Sequence, residues 1–162
     1  MDVEPMILFG HVGISILLGS LFSLALFVVL IATLMPDLID KSLFLLGLTN
    51  TGRFIGHTLF LGFLFSLIVH IIFRKKLFSI SFLFGYLLHL LEDAVKFVPW
   101  FYPFVNYDFS TYSIGPVFTP FNIASEIIGI IILIYMIRTN SQFRNSIIDK
   151  FKLITNKKKI PE

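Results

Sequence analysis

Apolar residues along the chain fall into four long runs separated by short polar stretches. The runs cover 6–35, about 56–73, 77–98 and 121–137, and the breaks contain PDLIDK and TNTGR, RKK, and a long aromatic segment at 99–120. A membrane-spanning helix needs about 20 predominantly apolar residues, and each run meets or nearly meets that length. The pattern predicts an all-α fold, a polytopic membrane helix bundle.

The first run has an awkward length for a single span. As one helix its thirty residues would extend about 45 Å, longer than a hydrocarbon core of about 30 Å, yet they are too few for two full spans. Gly19, Ser20 and Ser23 mark a plausible break. We therefore predict a hairpin of two short helices, about 8–20 and 23–35, followed by three spanning helices. One long tilted helix is the alternative, and periodicity does not decide because the run is apolar all round.

The composition agrees with a membrane protein. The 162 residues are 56% hydrophobic and 14% charged, with 20 Phe and a mean hydropathy of +0.89. A soluble domain of this size would have more apolar surface than it could bury. The chain has no Cys, which excludes disulfides and thiolate metal sites.

The charges predict the orientation in the cell membrane. With the spans above, ten of the thirteen basic residues fall on one side: Arg74, Lys75, Lys76, Arg138, Arg144, Lys150, Lys152 and Lys157–Lys159. The positive-inside rule makes that side cytoplasmic. We therefore expect an integral membrane domain over 1–140 and a basic cytoplasmic tail over 141–162. The segment MPDLIDK at 35–41 then faces outward.

Ionisable residues lie at the outer ends of the apolar runs, where they are costly and need an explanation. His89 and Asp93 are four residues apart and share one helix face with Lys96, and Arg53 and His57 are also four apart. A histidine with a carboxylate one turn away can share Zn²⁺. The alternatives are an Asp that orients a His, or helix-end charges that meet lipid headgroups.

These side chains are expected to meet at one outer face, although they come from three different apolar segments. The set comprises His57, His89, Asp93, Asp37 and Asp40. Neutral histidines with carboxylates suit Zn²⁺ or Mn²⁺. His11 would reach the same face if the first run folds back near Gly19, whereas one straight helix would place it on the opposite side.

The motifs that carry these residues, MPDLIDKSL, GRFIGHTL and GYLLHLLEDAV followed by WFYPF, resemble the YdjM-like membrane-bound metal-dependent hydrolases, in particular their archaeal-type branch. That family is a distant relative of zinc-dependent phospholipase C and P1 nuclease, which are α-helical. The resemblance implies a metal site with five ligands: His11, Asp37, His57, His89 and Asp93. Gly52, Ser42 and Thr58 depart from the family pattern, and Gly52 replaces a histidine, so one or two ions are expected.

The resemblance implies hydrolysis at a divalent metal, with zinc as the first expectation and manganese as the second. The metal would supply hydroxide, and Asp40 would act as general base or as the partner of a ligand. Arg53 and Lys96 would hold a phosphate, unless they pair with Asp40 and Glu92 instead. A site at the outer interface favours a lipid or lipid-linked phosphoester as substrate.

Two other functions remain open at this point. One is a metal-binding membrane protein without catalysis, and the other is a small transport subunit that uses intramembrane His and Asp as an ion path. We expect no nucleic-acid partner, because the basic tail lies beside the membrane and fits contact with anionic lipid.

Overall fold

The computed structural model describes residues 8–95, 97–109, 120–141, 143–145 and 148. Within these ranges all regular structure is helical, which confirms the all-α prediction. Among the described residues up to 139, five α-helices follow one another, with single 3₁₀ turns at Ile55–His57 and Asp93–Val95. The helices are α1 (Leu8–Leu21), α2 (Leu26–Leu45), α3 (Leu59–Phe73), α4 (Lys76–Glu92) and α5 (Pro120–Thr139).

The first apolar run is a hairpin of two helices, as the length of the run predicts. The chain reverses at 22–25, where Ser23 has a φ of 53° and the N–H of Leu24 donates to the carbonyl of Gly19. A Cβ at Gly19 would lie 3.3 Å from side-chain atoms of Leu26 and Val29, so a small residue lets α1 and α2 approach closely. The hairpin returns α2 to the end of the molecule at which α1 begins.

The end predicted for the second helix of the hairpin, at residue 35, is wrong. The helix α2 continues through Pro36 to Leu45, so the MPDLIDK segment is helical. An internal proline removes one helix hydrogen bond and costs about 3 kcal/mol. Extensive packing of α2 against α4 offsets this cost, and the buried backbone of α2 runs so close to α4 that a Cβ at Gly85 would lie 2.6 Å from the Val29 carbonyl.

One helical segment in the described part of the chain, Asn122–Thr139 within α5, is long and apolar enough to cross a membrane. The helices α1 and α3 are apolar but have 14 and 15 residues, and α2 carries three charged side chains in its second half. Length and composition thus support one spanning helix. The three spanning helices expected after the hairpin, and the division at residue 140, stay predictions. Most of the predicted tail lies outside the described residues.

Two clusters of buried side chains hold the helices together. Tyr86 and Leu90 on α4 pack with Ala32 on α2, and Ile16 on α1 packs in a second cluster with Met136 on α5. The α1–α5 contact is close at Gly13, where a Cβ would lie 2.6 Å from the Gly129 carbonyl. The molecule therefore consists of an α2–α3–α4 packing unit with α1 and α5 paired at its side.

Candidate metal centre

Three of the predicted ligands come together at one end of the helix bundle. Asp37 lies on α2, His57 at the end of the first 3₁₀ turn, and His89 in the last turns of α4. One donor atom from each residue lies within 4.8 Å of the other two. His57 and His89 are buried, and the Asp37 side chain is 13% exposed. Three donors of this kind can hold one divalent ion.

The distances among the donors fit ligands of a single ion. His57 Nε2 lies 3.7 Å from Asp37 Oδ1 and 3.3 Å from His89 Nε2. Ligands at about 2.0–2.1 Å from a tetrahedral Zn²⁺ are about 3.4 Å apart. Two ring nitrogens that face each other this closely need a proton or a cation between them. The residues present therefore fit a metal ion.

Asp40 fixes the His57 ring by a hydrogen bond at Nδ1, on the opposite side of the ring from the candidate ligand atom Nε2. Its side chain is fully buried and accepts from His57 Nδ1 at 2.7 Å, from the N–H of Phe54 at 2.6 Å and from the N–H of Gly56 at 2.7 Å. The proton on Nδ1 leaves the Nε2 lone pair directed at Asp37 and His89. Because three donors occupy both Asp40 oxygens, these hydrogen bonds fit the partner role rather than the general-base role.

Gly56 and Tyr86 hold the turn that carries His57, and neither was among the predicted site residues. A Cβ at Gly56 would lie 2.5 Å from the Pro36 carbonyl and 2.8 Å from the Asp40 carboxylate. The Tyr86 hydroxyl donates to the Gly56 carbonyl. The GYLLH motif contains Tyr86 three residues before His89, on the same helix face, and this spacing was the available signal.

Asp93 lies beside the three donors without being one of that close group. Its Oδ2 is 3.3 Å from His57 Nε2, 3.9 Å from His89 Nε2 and 2.7 Å from Arg53 Nη2. The Asp93 side chain is 7% exposed, so the ion pair with Arg53 is largely shielded from solvent. The structure therefore brings Asp93 and Arg53 to the edge of the three-donor group.

His11 also reaches this end of the molecule, as the hairpin predicts. Its ring centroid lies 4.6 Å from that of His89, and its Nε2 lies 3.5 Å from Asp93 Oδ1. Its Nδ1 forms a hydrogen bond with Glu92 Oε2. Sequence reasoning did not place Glu92 in the site, although its position three residues after His89 puts it on the same helix face.

The other charged residues of the motifs are placed differently. Lys41, one turn after Asp37, pairs with Asp37 Oδ2 at 3.3 Å. Lys96, the second residue predicted to bind phosphate, lies outside the described residues. Arg53 pairs with Asp93, its Nη2 lying 2.7 Å from Asp93 Oδ2. The buried His89 Nδ1 has no hydrogen-bond partner among the described residues, so the His89 ring lacks the kind of support that Asp40 gives His57.

Comparison with known proteins gives a family assignment. No curated protein and no solved structure matches the chain. The family model described as YdjM inner membrane protein matches residues 2–148, which include every helix and every candidate ligand described above. The chain belongs to the YdjM inner membrane protein family.

Proposed function

We propose that the protein is a membrane-bound, metal-dependent hydrolase of a phosphoester, with its site at the extracytoplasmic face. The observation that carries the proposal is the convergence of Asp37, His57 and His89, whose donor atoms lie within 4.8 Å of one another. Two histidines and a carboxylate are a common protein ligand set of catalytic zinc sites. Three protein ligands would leave a coordination position free for water.

Zn²⁺ is the ion that we propose, with Mn²⁺ as the alternative. A bound Zn²⁺ would lower the pKa of a water ligand to about 7 and so supply hydroxide at neutral pH. The protein would hold His57 by Asp40 and Asp37 by Lys41, so that Nε2 of His57 and Oδ1 of Asp37 stay directed at the ion. This arrangement of supporting contacts is typical of metal sites.

Neither Asp40 nor Asp93 is placed to act as general base in this proposal, because Arg53 Nη2 lies 2.7 Å from Asp93 Oδ2 and His11 Nε2 lies 3.5 Å from Asp93 Oδ1. We assign Asp93 a supporting role at the centre instead. Asp93 Oδ2 lies 3.3 Å from His57 Nε2 and 3.9 Å from His89 Nε2, next to two of the proposed ligands. There it would accept a hydrogen bond from a water on the ion and so orient that water. The assignment changes the earlier expectation that Asp93 is a ligand. Asp93→Asn separates the two roles, because loss of a supporting contact spares the metal content whereas loss of a ligand lowers it.

The neighbouring cation and apolar surface support a lipid or lipid-linked phosphate as substrate. The Arg53 side chain is 14% exposed at the edge of the centre, where its planar guanidinium suits a phosphate. The adjacent Phe54 ring packs on Tyr102 in the segment 97–109, and Phe101 and Phe104 of this segment are 57% and 77% exposed. Exposed aromatic side chains in a segment that contacts Phe54, the neighbour of Arg53 in the chain, would suit a substrate with both a phosphate and an acyl chain.

Metal analysis of the purified protein tests the centre. We expect about one zinc per chain in the wild type, loss of the ion in His89→Ala, and no change in His70→Ala. His70 is a matched control because it is an exposed histidine near the far end of α3. A wild type without zinc or manganese would refute the metal centre.

Activity and orientation need separate measurements. Lipid phosphomonoesters and phosphodiesters in mixed micelles are the first substrates to test, with the metal-free protein as control. Metal without turnover would support a non-catalytic metal-binding protein, and metal-independent ion flux in vesicles would support a transport subunit.

Because the chain has no Cys, single cysteines introduced by mutation report the orientation of the protein in the membrane. A membrane-impermeant maleimide should label Asn50→Cys in intact cells and Lys75→Cys after permeabilisation, and the reverse pattern would refute the outward site.

A further inference from the structure

Two segments beside the candidate metal centre carry no charged residue. One covers 42–52, between Lys41 and Arg53, and leads from the helix of Asp37 to the turn of His57. The other covers 97–107, which follows the 3₁₀ turn after α4. Connections between helices that lie in water are normally polar, and an exposed apolar run in such a place marks a contact surface.

The first segment ends α2 in a group of exposed leucines, which we call the α2 tip. Leu45, Leu46 and Leu48 are 69% to 79% exposed. Leu45 lies eight residues after the candidate ligand Asp37 in the same helix. At a rise of 1.5 Å per residue, the α2 tip extends about 12 Å along the helix axis beyond that ligand. Apolar surface is thus exposed farther out along α2 than the centre itself.

The second segment continues the apolar surface of α3. The ring of Phe104, which is exposed, packs edge-on against Phe60 in the first turn of α3, with 5.5 Å between the ring centroids. From there Phe63, Leu67 and Ile71 follow at four-residue spacing along α3, and all three are exposed. One uncharged apolar surface therefore extends from α3 onto the residues 101–105.

The level of the centre along α5 points in the same direction. Glu126 caps α1, because it accepts hydrogen bonds from the N–H of Phe9 at 3.1 Å in the first turn of that helix. The same end of α1 carries His11, whose ring centroid lies 4.6 Å from that of the candidate ligand His89. Glu126 is four residues inside the apolar segment Asn122–Thr139, or about 6 Å from its start. The centre is therefore level with the apolar part of α5.

We propose that the α2 tip and residues 101–105 are immersed in the acyl-chain region of one membrane leaflet, and that the centre lies below the membrane surface. Acyl chains of lipid are the occupant of both surfaces, because both are uncharged, the second is continuous with the apolar face of α3, and the family is one of inner membrane proteins. For the substrate this rests on the proposed function, in which a lipid phosphoester would then reach the centre from within the leaflet.

Spin labels on single cysteines test the immersion in vesicles of phosphatidylethanolamine and phosphatidylglycerol. Dissolved oxygen concentrates among acyl chains, whereas a nickel chelate stays in water, so the ratio of their collision rates reports depth. Leu46→Cys and Phe104→Cys should give ratios several-fold above that of Lys75→Cys, in the exposed basic turn after α3. They should approach the ratio of Ile131→Cys, which is exposed on the spanning segment of α5. All four side chains are exposed, so the substitutions leave the packing intact.

Trp100 reports the depth of the centre itself. It is the single Trp of the chain, and its carbonyl accepts from the N–H of Leu59 at 3.0 Å, two residues after the candidate ligand His57. We expect phosphatidylcholine brominated in its acyl chains to quench the fluorescence of Trp100 more strongly than aqueous iodide does. Stronger quenching by iodide would place the centre at the membrane surface and overturn the inference.

The other outcomes separate this inference from the proposed function. A water-like collision ratio at Leu46→Cys or at Phe104→Cys would overturn the immersion and leave the zinc content unaffected. Spin–spin broadening that disappears on dilution with unlabelled protein would show that a second copy of the chain covers the surface, which also overturns it. A wild type without metal would overturn the proposed function, while contact of these segments with acyl chains would stand.

Discussion

Two carboxylate–histidine pairs flank Asp93, and they are built differently. In both, a carboxylate contacts Nδ1, and Nε2 lies near an Asp93 oxygen, at 3.5 Å for His11 and 3.3 Å for His57. Asp40 is fully buried and both of its oxygens accept hydrogen bonds, whereas the Glu92 side chain is 17% exposed and its Oε1 has no hydrogen-bond partner among the described residues. We call Asp40–His57 the saturated pair, because both carboxylate oxygens have hydrogen-bond donors. In the Glu92–His11 pair, one carboxylate oxygen has no donor among the described residues.

The pairs also differ in the distance along the chain that they connect. Asp40 and His57 are 17 residues apart, and the intervening chain supplies two further N–H donors to the carboxylate. His11 and Glu92 are 81 residues apart and meet only when α1 packs against α4. We infer that the first pair belongs to the rigid part of the site. The second depends on the docking of α1, which α5 supports through Glu126.

The largest expected effect comes from breaking the saturated pair. In Asp40→Asn, the amide group replaces one carboxylate oxygen, and at least one buried N–H loses its acceptor at a cost of about 1–3 kcal/mol, with more lost at the His57 contact. We expect the free energy of unfolding in detergent without metal to fall by about 3 kcal/mol. The matched variant Glu92→Gln should lower it by less than about 1 kcal/mol, because Glu92 accepts one hydrogen bond. Equal losses would contradict the comparison.

The second-largest expected effect comes from Gly56, which packs closely beside the saturated pair. In Gly56→Ala the new Cβ would lie 2.5 Å from the Pro36 carbonyl, so the turn that carries His57 must move. Overpacking of this kind costs about 1–3 kcal/mol, and we also expect weaker zinc binding. Gly52→Ala is the control, because a Cβ there meets nothing within 4 Å. Thermal unfolding and zinc titration of both variants measure the difference. Similar behaviour of the two would show that the close approach has no effect.

Much of the site could be predicted because its residues follow helical spacing at the ends of apolar runs. Asp37, His57 and His89 were expected at one face, and the structure brings them together. The hairpin was expected from the length of the first run, and the return of His11 with it. These inferences needed only element lengths and the requirement that costly charges near a membrane be partnered.

Other features of the fold and site depend on contacts between residues far apart in the chain, and no local sequence pattern contains such contacts. Pro36 predicts a helix end, but the packing of α2 against α4 keeps the helix continuous through it. The role of Glu126 as a cap for α1 requires the α1–α5 contact, which joins residues 117 apart. The pairing of Arg53 with Asp93 depends on a few ångströms of side-chain placement, which spacing alone does not provide.

The smallest expected effect concerns the hydrogen bond from Tyr86 that supports the turn beside the saturated pair. Tyr86→Phe removes the hydroxyl that donates to the Gly56 carbonyl while it keeps the buried ring packed against Gly62. The unpaired carbonyl should cost about 1 kcal/mol of unfolding free energy, less than Asp40→Asn, because the three N–H contacts to Asp40 remain. Tyr135→Phe is the matched control, since Tyr135 is 59% exposed on α5. Zinc content should stay at the wild-type level in both. A loss of zinc in Tyr86→Phe would show that the Gly56 turn needs the hydroxyl to hold His57, and that Asp40 alone does not keep this pair rigid.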